Sequence, residues 1–179
     1  MRSPQRLLVL GGTRSGKSAY AERRIAETGL RAVYIATGQP GDAEMAARIA
    51  AHRARRGPSW TTIEEPLELG SRLAAEAGAG RVVLVDCLTL WLANLMAAER
   101  DVAAETRRLA TAIRKASGPV VLVSNEVGGG VVPDNALARR FADAQGVLNQ
   151  QVAAAVEEVV LIAAGLPLVL KLPEPEAAR

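Results

Sequence analysis

Short runs of apolar, often β-branched residues alternate along the chain with longer segments in which Ala and Leu recur at helical spacing among Glu and Arg. The continuous apolar runs fall at residues 6–10, 32–36, 81–86, 119–124 and 158–163. Runs of this length without polar alternation read as strands buried on both faces, the pattern of a mostly parallel sheet. The helical spacing predicts helices over 17–28, 42–56, 67–77, 87–98, 102–117 and 135–156. Strands that alternate with helices give an α/β fold with helices on both faces of the sheet. After the last run, Gly165-Leu166-Pro167 leads into 168–171, near enough in sequence for an antiparallel hairpin at the sheet edge. No repeat or composition break divides the chain, so residues 1–179 are expected to form one domain with a frayed tail at 173–179. Two Gly-rich polar loops, 37–41 and 125–134, follow predicted strands. In open α/β sheets the ligand crevice lies beyond the carboxyl ends of the strands, so a site belongs there.

Composition narrows the chemistry. The 179 residues carry 22 basic and 19 acidic side chains, a formal +3, with Arg supplying 19 of the cations and Lys17, Lys115 and Lys171 the rest. So small an excess, with five aromatic residues, is a poor match to a nucleic-acid binder that tracks phosphates or stacks bases. A lone thiol, Cys87, excludes an intramolecular disulfide framework and a Cys-built zinc site. With no secretory leader pattern at the start and no apolar run near the ~18 residues that span a bilayer, the expectation is a cytoplasmic protein without stable membrane insertion. His52 is the sole imidazole.

Gly11-Gly12-Thr13-Arg14-Ser15-Gly16-Lys17-Ser18 satisfies G-x-x-x-x-G-K-[ST] directly after an apolar run and directly before a helical segment. That context is what the mechanism requires. Glycines let backbone N–H groups converge on phosphate oxygens, the helix N-terminus adds positive potential, Lys17 neutralises β- and γ-phosphate charge, and the Ser18 hydroxyl is placed to ligate Mg²⁺. The fold class expected is therefore a P-loop NTPase of the RecA-like three-layer kind, its mostly parallel sheet ending in an antiparallel edge strand. A carboxylate at the end of another apolar strand completes such a site, and Val82-Val83-Leu84-Val85-Asp86 supplies one. Asp86 has a second reading as the N-cap of the helix that follows.

A regulatory GTPase would carry N-K-x-D after a later strand, where this chain has Ser124-Asn125-Glu126-Val127. The segment 42–56 is more informative. Asp42 and Glu44 open it and Arg48, Arg53, Arg55 and Arg56 load its end, the order a helix dipole favours. Met45, Ile49, His52 and Arg56 share one face. His52 there is either a structural residue on an apolar stripe or a nucleophile beside a cationic cluster suited to a triphosphate. The arginines favour the neutral, nucleophilic imidazole and the helix C-terminus favours the cation.

These residues resemble a known family. The Gly11–Ser18 loop, Tyr34-Ile35-Ala36-Thr37, Glu44 to Ile49 leading to His52-Arg53, and Trp60-Thr61-Thr62-Ile63-Glu64-Glu65-Pro66 are similar to the bifunctional adenosylcobinamide kinase and adenosylcobinamide-phosphate guanylyltransferase of cobalamin synthesis. So are Val85-Asp86-Cys87-Leu88-Thr89 with Asn94, Val123 to Gly128, Val132-Pro133-Asp134-Asn135, Leu137-Ala138-Arg139 and Asn149-Gln150. The resemblance implies phosphorylation of the aminopropanol hydroxyl of adenosylcobinamide from ATP or GTP. It then implies transfer of GMP from GTP to adenosylcobinamide phosphate through a guanylyl-histidine, which falls on His52, with release of pyrophosphate. It carries nucleotide contacts onto Gly11, Gly12, Thr13, Arg14, Ser15, Gly16, Lys17 and Ser18, onto Ala36, Thr37 and Gly38, onto Arg53, Ala54, Arg55 and Arg56, and onto Glu64 and Asp86. Lys17 is expected to be catalytic with His52, and Ser18 and Asp86 to hold Mg²⁺. A homo-oligomer, a trimer, is implied as well. Glu64 and Glu65 read either as nucleotide or imidazole partners or as a solvated strand end, and Thr37 either positions a phosphate or ends a strand. Trp60 and Trp91 read as core or interface residues, and Gly128-Gly129-Gly130 as a loop near the corrinoid.

Overall fold

The computed structural model describes residues 6–39 and 60–173. Seven strands form one sheet: β1 (Arg6–Gly11), β2 (Arg31–Ala36), β3 (Trp60–Glu64), β4 (Arg81–Asp86), β5 (Val120–Asn125), β6 (Glu158–Ala163) and β7 (Leu166–Lys171). Their order is β3-β2-β4-β5-β1-β6-β7, all pairs parallel except β6 with β7. The helices are α1 (Lys17–Ala26), α2 (Leu69–Glu76), α3 (Leu88–Ala97), α4 (Val102–Lys115) and α5 (Ala136–Ala155). The expected helix at 42–56, with His52, Arg53, Ala54, Arg55 and Arg56, lies outside the described residues, as does the tail from residue 174.

Side chains alternate across each strand, and two cores result. Leu7, Val9, Tyr34, Leu84 and Val123 pack on one face with Ala21 and Ile25 of α1. Leu8, Leu10, Ile35, Val85 and Leu122 pack on the other with α2, α3, α4 and α5. This is the three-layer arrangement that the continuous apolar runs require, since neither sheet face could meet water. Trp91 is fully buried in the second core and donates its indole N–H to the Leu67 carbonyl at 2.8 Å. Its structural reading holds. Leu88, Leu92 and Leu95 accompany it on one stripe of α3, each contributing about 1.5–3 kcal/mol by burial.

The structure departs from the sequence pattern in three places. Trp60–Glu64 is an edge strand beside β2, although Thr61 and Thr62 keep it out of the continuous apolar runs; an edge needs only one apolar face. The helix after the phosphate loop stops at Ala26 because Gly29 takes a left-handed φ of 65° and the Thr28 hydroxyl folds back onto the Ile25 carbonyl. The hairpin turns at Ala164 and Gly165, with φ of 51° and 80°, rather than over Gly165 to Pro167. Pro167 then sits opposite Ile162 on the edge strand, where a missing N–H is tolerated.

Candidate active site

The phosphate loop runs from the carboxyl end of β1 to the first turn of α1. Gly11 is opposite Asn125 of β5 on one side and Ile162 of β6 on the other. A Cβ at Gly11 would lie 2.5 Å from Ser15 Oγ and 2.7 Å from the Ile162 carbonyl oxygen, so the loop can double back only over glycine. The Ser15 N–H donates to the Gly12 carbonyl at 3.3 Å, and Gly16 enters the helix at φ 97°. Among the described residues no side chain caps α1, and its first turn carries no acid, which suits its N-terminal donors to an anion. Gly12, Thr13, Arg14 and Gly16 are exposed, with Ser15, Lys17 and Ser18 half-buried. Lys17 Nζ donates back across the loop to the Gly12 carbonyl at 2.9 Å.

Two contacts brace the loop from outside it. Gly165, at the tip of the β6–β7 hairpin, donates its N–H to the Ser15 carbonyl at 3.0 Å, and Glu126, just after β5, donates its N–H to the Gly11 carbonyl at 3.2 Å. Helix α1 is also clamped to the sheet: Arg24 Nη1 and Nη2 donate to the two carboxylate oxygens of Glu158 at 2.9 and 3.0 Å. The Glu158 hydrogen bond raises the Arg24 pKa further.

Across the sheet, Ala36 of β2 is opposite both Glu64 of β3 and Asp86 of β4, which aligns these residues in one row at the carboxyl edge. Only β5 separates β4 from β1, with Asp86 opposite Val123 and Val123 opposite Val9, so the Asp86 strand end lies at the same edge as the phosphate loop that leaves β1 at Gly11. The N-cap of α3 falls on Cys87, one residue past Asp86. The strand-end carboxylate is therefore not the N-cap residue that the second sequence reading made it.

Thr37 is fully buried: its hydroxyl donates to the Cys87 carbonyl at 2.6 Å and accepts from the Cys87 N–H at 2.9 Å. Asn94 of α3 donates to the Thr37 carbonyl at 2.7 Å and the Pro66 carbonyl at 3.2 Å. These bonds lock the ends of β2 and β4 together and hold Gly38, whose space is closed by Leu90 Cδ1 at 2.9 Å from an added Cβ. Glu64 is exposed on β3, while Glu65 turns inward and accepts from the Leu67 and Glu68 N–H groups at the entry to α2. Trp60 packs edge-to-face on Tyr34 at 6.4 Å.

The fold thus brings Gly11 to Ser18, Ala36, Thr37, Gly38, Glu64 and Asp86 to one edge of the sheet. The residues that sequence reasoning left without a role at the site are Gly165 and a polar group behind β5, made of half-buried Thr89 and of buried Ser124, Gln145 and Asn149. A signal existed for the last two: Gln145 and Asn149 are one helical turn apart on a face otherwise made apolar by Leu148 and Val152. No group of three or more His, Cys, Asp or Glu able to hold a metal occurs among the described residues.

Solved structures share the fold. The ATPase domain of G40P superposes with TM-score 0.57 at 9% identity, covering 99% of this chain and 80% of that one. The RadB recombinase gives 0.54 at 17% identity, over 88% and 74%. The architecture is that of RecA-like P-loop ATPases. In sequence the chain is 52% identical over 166 residues to the bifunctional adenosylcobalamin biosynthesis protein CobP of Pseudomonas aeruginosa, covering 92% of this chain and 96% of that protein. It is 41% identical over 180 residues to CobU of Escherichia coli, which carries the same description, covering 92% and 99%. The family model described as CobU, cobinamide kinase / cobinamide phosphate guanyltransferase, matches residues 7–170. With a match of that extent and such identity over nearly full length, the chain belongs to the cobinamide kinase / cobinamide phosphate guanyltransferase family.

Proposed function

We propose that this protein phosphorylates the aminopropanol hydroxyl of adenosylcobinamide with ATP or GTP. It then transfers GMP from GTP, through a guanylyl group on His52, to adenosylcobinamide phosphate, giving adenosylcobinamide-GDP and pyrophosphate. The observation that carries the reading is the braced phosphate loop beside the Asp86 strand end, in a chain of this family. Residues 1–179 act as one nucleotide-binding catalytic domain. The Gly11 to Ser18 backbone and the α1 N-terminus bind the phosphates, and Lys17 leaves the Gly12 carbonyl to neutralise the transferred group. Ala36, Thr37, Gly38 and Glu64 form the neighbouring wall, and Arg53, Ala54, Arg55 and Arg56, which follow His52 in the sequence, are the further nucleotide contacts of the proposal.

Ser18 and Asp86 suit Mg²⁺, which takes one or two protein oxygens and completes its shell with water and phosphate. When bound, the metal would neutralise charge on the triphosphate. The exposed Val131 and Val132, in the loop that begins beside the phosphate loop at Glu126, support that loop as the contact for the corrinoid. No described helix is long and apolar enough to cross a membrane.

GTP labelled at the α-phosphate tests the second half-reaction. Label should become protein-bound, stable to base and labile to acid as in a phosphoramidate, and be absent from His52→Ala. That variant should retain adenosylcobinamide phosphorylation, whereas Lys17→Ala should lose most of both reactions. Undiminished labelling of His52→Ala would overturn the histidine assignment, and intact guanylylation in Lys17→Ala would overturn a shared phosphate site.

A further inference from the structure

The polar group behind β5 has no part in the chemistry above. Ser124 and Gln145 are fully buried and Asn149 is 7% exposed. Ser124 Oγ donates to Asn149 Oδ1 at 2.7 Å, and Gln145 Nε2 donates to Ser124 Oγ and Asn149 Oδ1, each at 3.0 Å. Among the described residues the triangle has one outlet. Asn149 Nδ2 donates to the Asn125 carbonyl at 3.0 Å, while the Asn125 N–H donates to Thr89 Oγ1 of α3 at 2.9 Å. Both backbone groups of Asn125 are thus gripped by side chains from two different helices. The next N–H, that of Glu126, is the one that holds the Gly11 carbonyl.

Apolar residues would fill this helix–sheet contact without desolvating three polar side chains, and Gln145 Oε1 is buried without a hydrogen bond among the described residues. Such a group rigidifies its surroundings more than it stabilises them. The geometry points to Gln145, Ser124 and Asn149 as positioning residues for phosphoryl transfer. Through the Asn125–Glu126 backbone they fix the floor of the phosphate loop and place the end of β5 between that loop and the strand carrying Asp86, without touching the nucleotide. The inference rests on the loop being the nucleotide site.

Asn149→Leu removes the grip, and Asn149→Asp keeps the acceptor and loses the amide donor. With adenosylcobinamide and ATP, Asn149→Leu should lower kcat about ten- to a hundredfold while the Kd for a fluorescent ATP analogue changes less than about threefold. Amide hydrogens of the peptide containing Asn125 and Glu126 should exchange faster. Asn149→Asp should regain activity relative to wild type as pH falls, because only the protonated carboxyl can donate to the Asn125 carbonyl. Folded variants with wild-type kcat and wild-type exchange would overturn the proposal, as would equal losses in kcat and affinity that track the folded fraction. If Asn149→Leu does not fold, Ser124→Ala carries the same expectations, with Ser124→Thr restoring activity. The wild-type control separates the two levels: failure to bind the analogue would sink the nucleotide-site reading itself.

Discussion

Burial, with the Asp86 carboxylate beside it, pushes the Cys87 thiol up to about 11 from an ordinary 9.0, against the pull of Lys17. The folded state holds this proton more tightly than the unfolded chain. The resulting stability is therefore whole below pH 9.0 and is lost as pH rises through about 11. At pH 8 the native thiolate should be about a hundredfold scarcer than in the unfolded chain. Iodoacetamide should accordingly label Cys87 slowly at pH 8 in native protein and fast in denaturant, followed by mass; equal rates would contradict the burial. Residues of this kind divide by how local their chemistry is. The eight positions from Gly11 to Ser18 are legible because they are contiguous and each type has a fixed job on a phosphate. Thr37 leaves two readings in the sequence, and the partner that commits its hydroxyl, Cys87, is 50 positions away. Asp86 likewise has two readings until α3 is seen to take its N-cap at Cys87.

At the scale of elements, the phosphate loop depends on what clamps its helix. Arg24 joins α1 to the first residue of β6 through two hydrogen bonds to Glu158, with side-chain exposures of 18% and 10%. Truncating one partner strands a largely buried charge, so Glu158→Ala should cost about 2–4 kcal/mol in urea unfolding. The double variant Arg24→Met with Glu158→Leu should recover part of that loss, since no charge is left uncompensated; additive losses would show that the two side chains act independently and overturn the coupling. The five continuous apolar runs were readable as strands because a strand buried on both faces cannot hide its pattern. Trp60–Glu64 was not, because an edge strand needs fewer apolar positions, and the hairpin turn lies one residue earlier than its Gly-Leu-Pro composition suggests. That shift places Gly165 where its N–H meets the Ser15 carbonyl.

Across the whole molecule, β7 is exposed along its length among the described residues, with Lys171 reaching back to the Ala153 and Val156 carbonyls at the end of α5. Leu166, Leu168, Leu170 and Leu172 stand at alternate positions and are 70%, 57%, 54% and 67% exposed. Leu168 lies opposite Leu161 and extends an inner apolar surface out to an open edge, while a register shift between Val159 and Val160 brings Lys171 opposite Val159, so the leucines do not all share one face. A solvated edge strand of this kind is ordinarily blunted by charge, and Lys171 alone supplies one on β7. The resemblance implies a homo-oligomer, a trimer, and we propose that copies meet along this exposed edge. Light scattering should find an assembly for the wild-type chain and a monomer for Leu168→Lys with Leu170→Lys; an unchanged mass would place the contact elsewhere. The sequence by itself determined the α/β class, the phosphate loop and the strand-end carboxylate, because periodicity and contiguous motifs are local properties of a chain. Tertiary structure alone decided that a hairpin tip and a strand end brace the loop and that Thr37 locks two strand ends. It likewise decided that three polar side chains meet behind β5, since each of these contacts joins residues far apart in the chain whose types are compatible with many other partners.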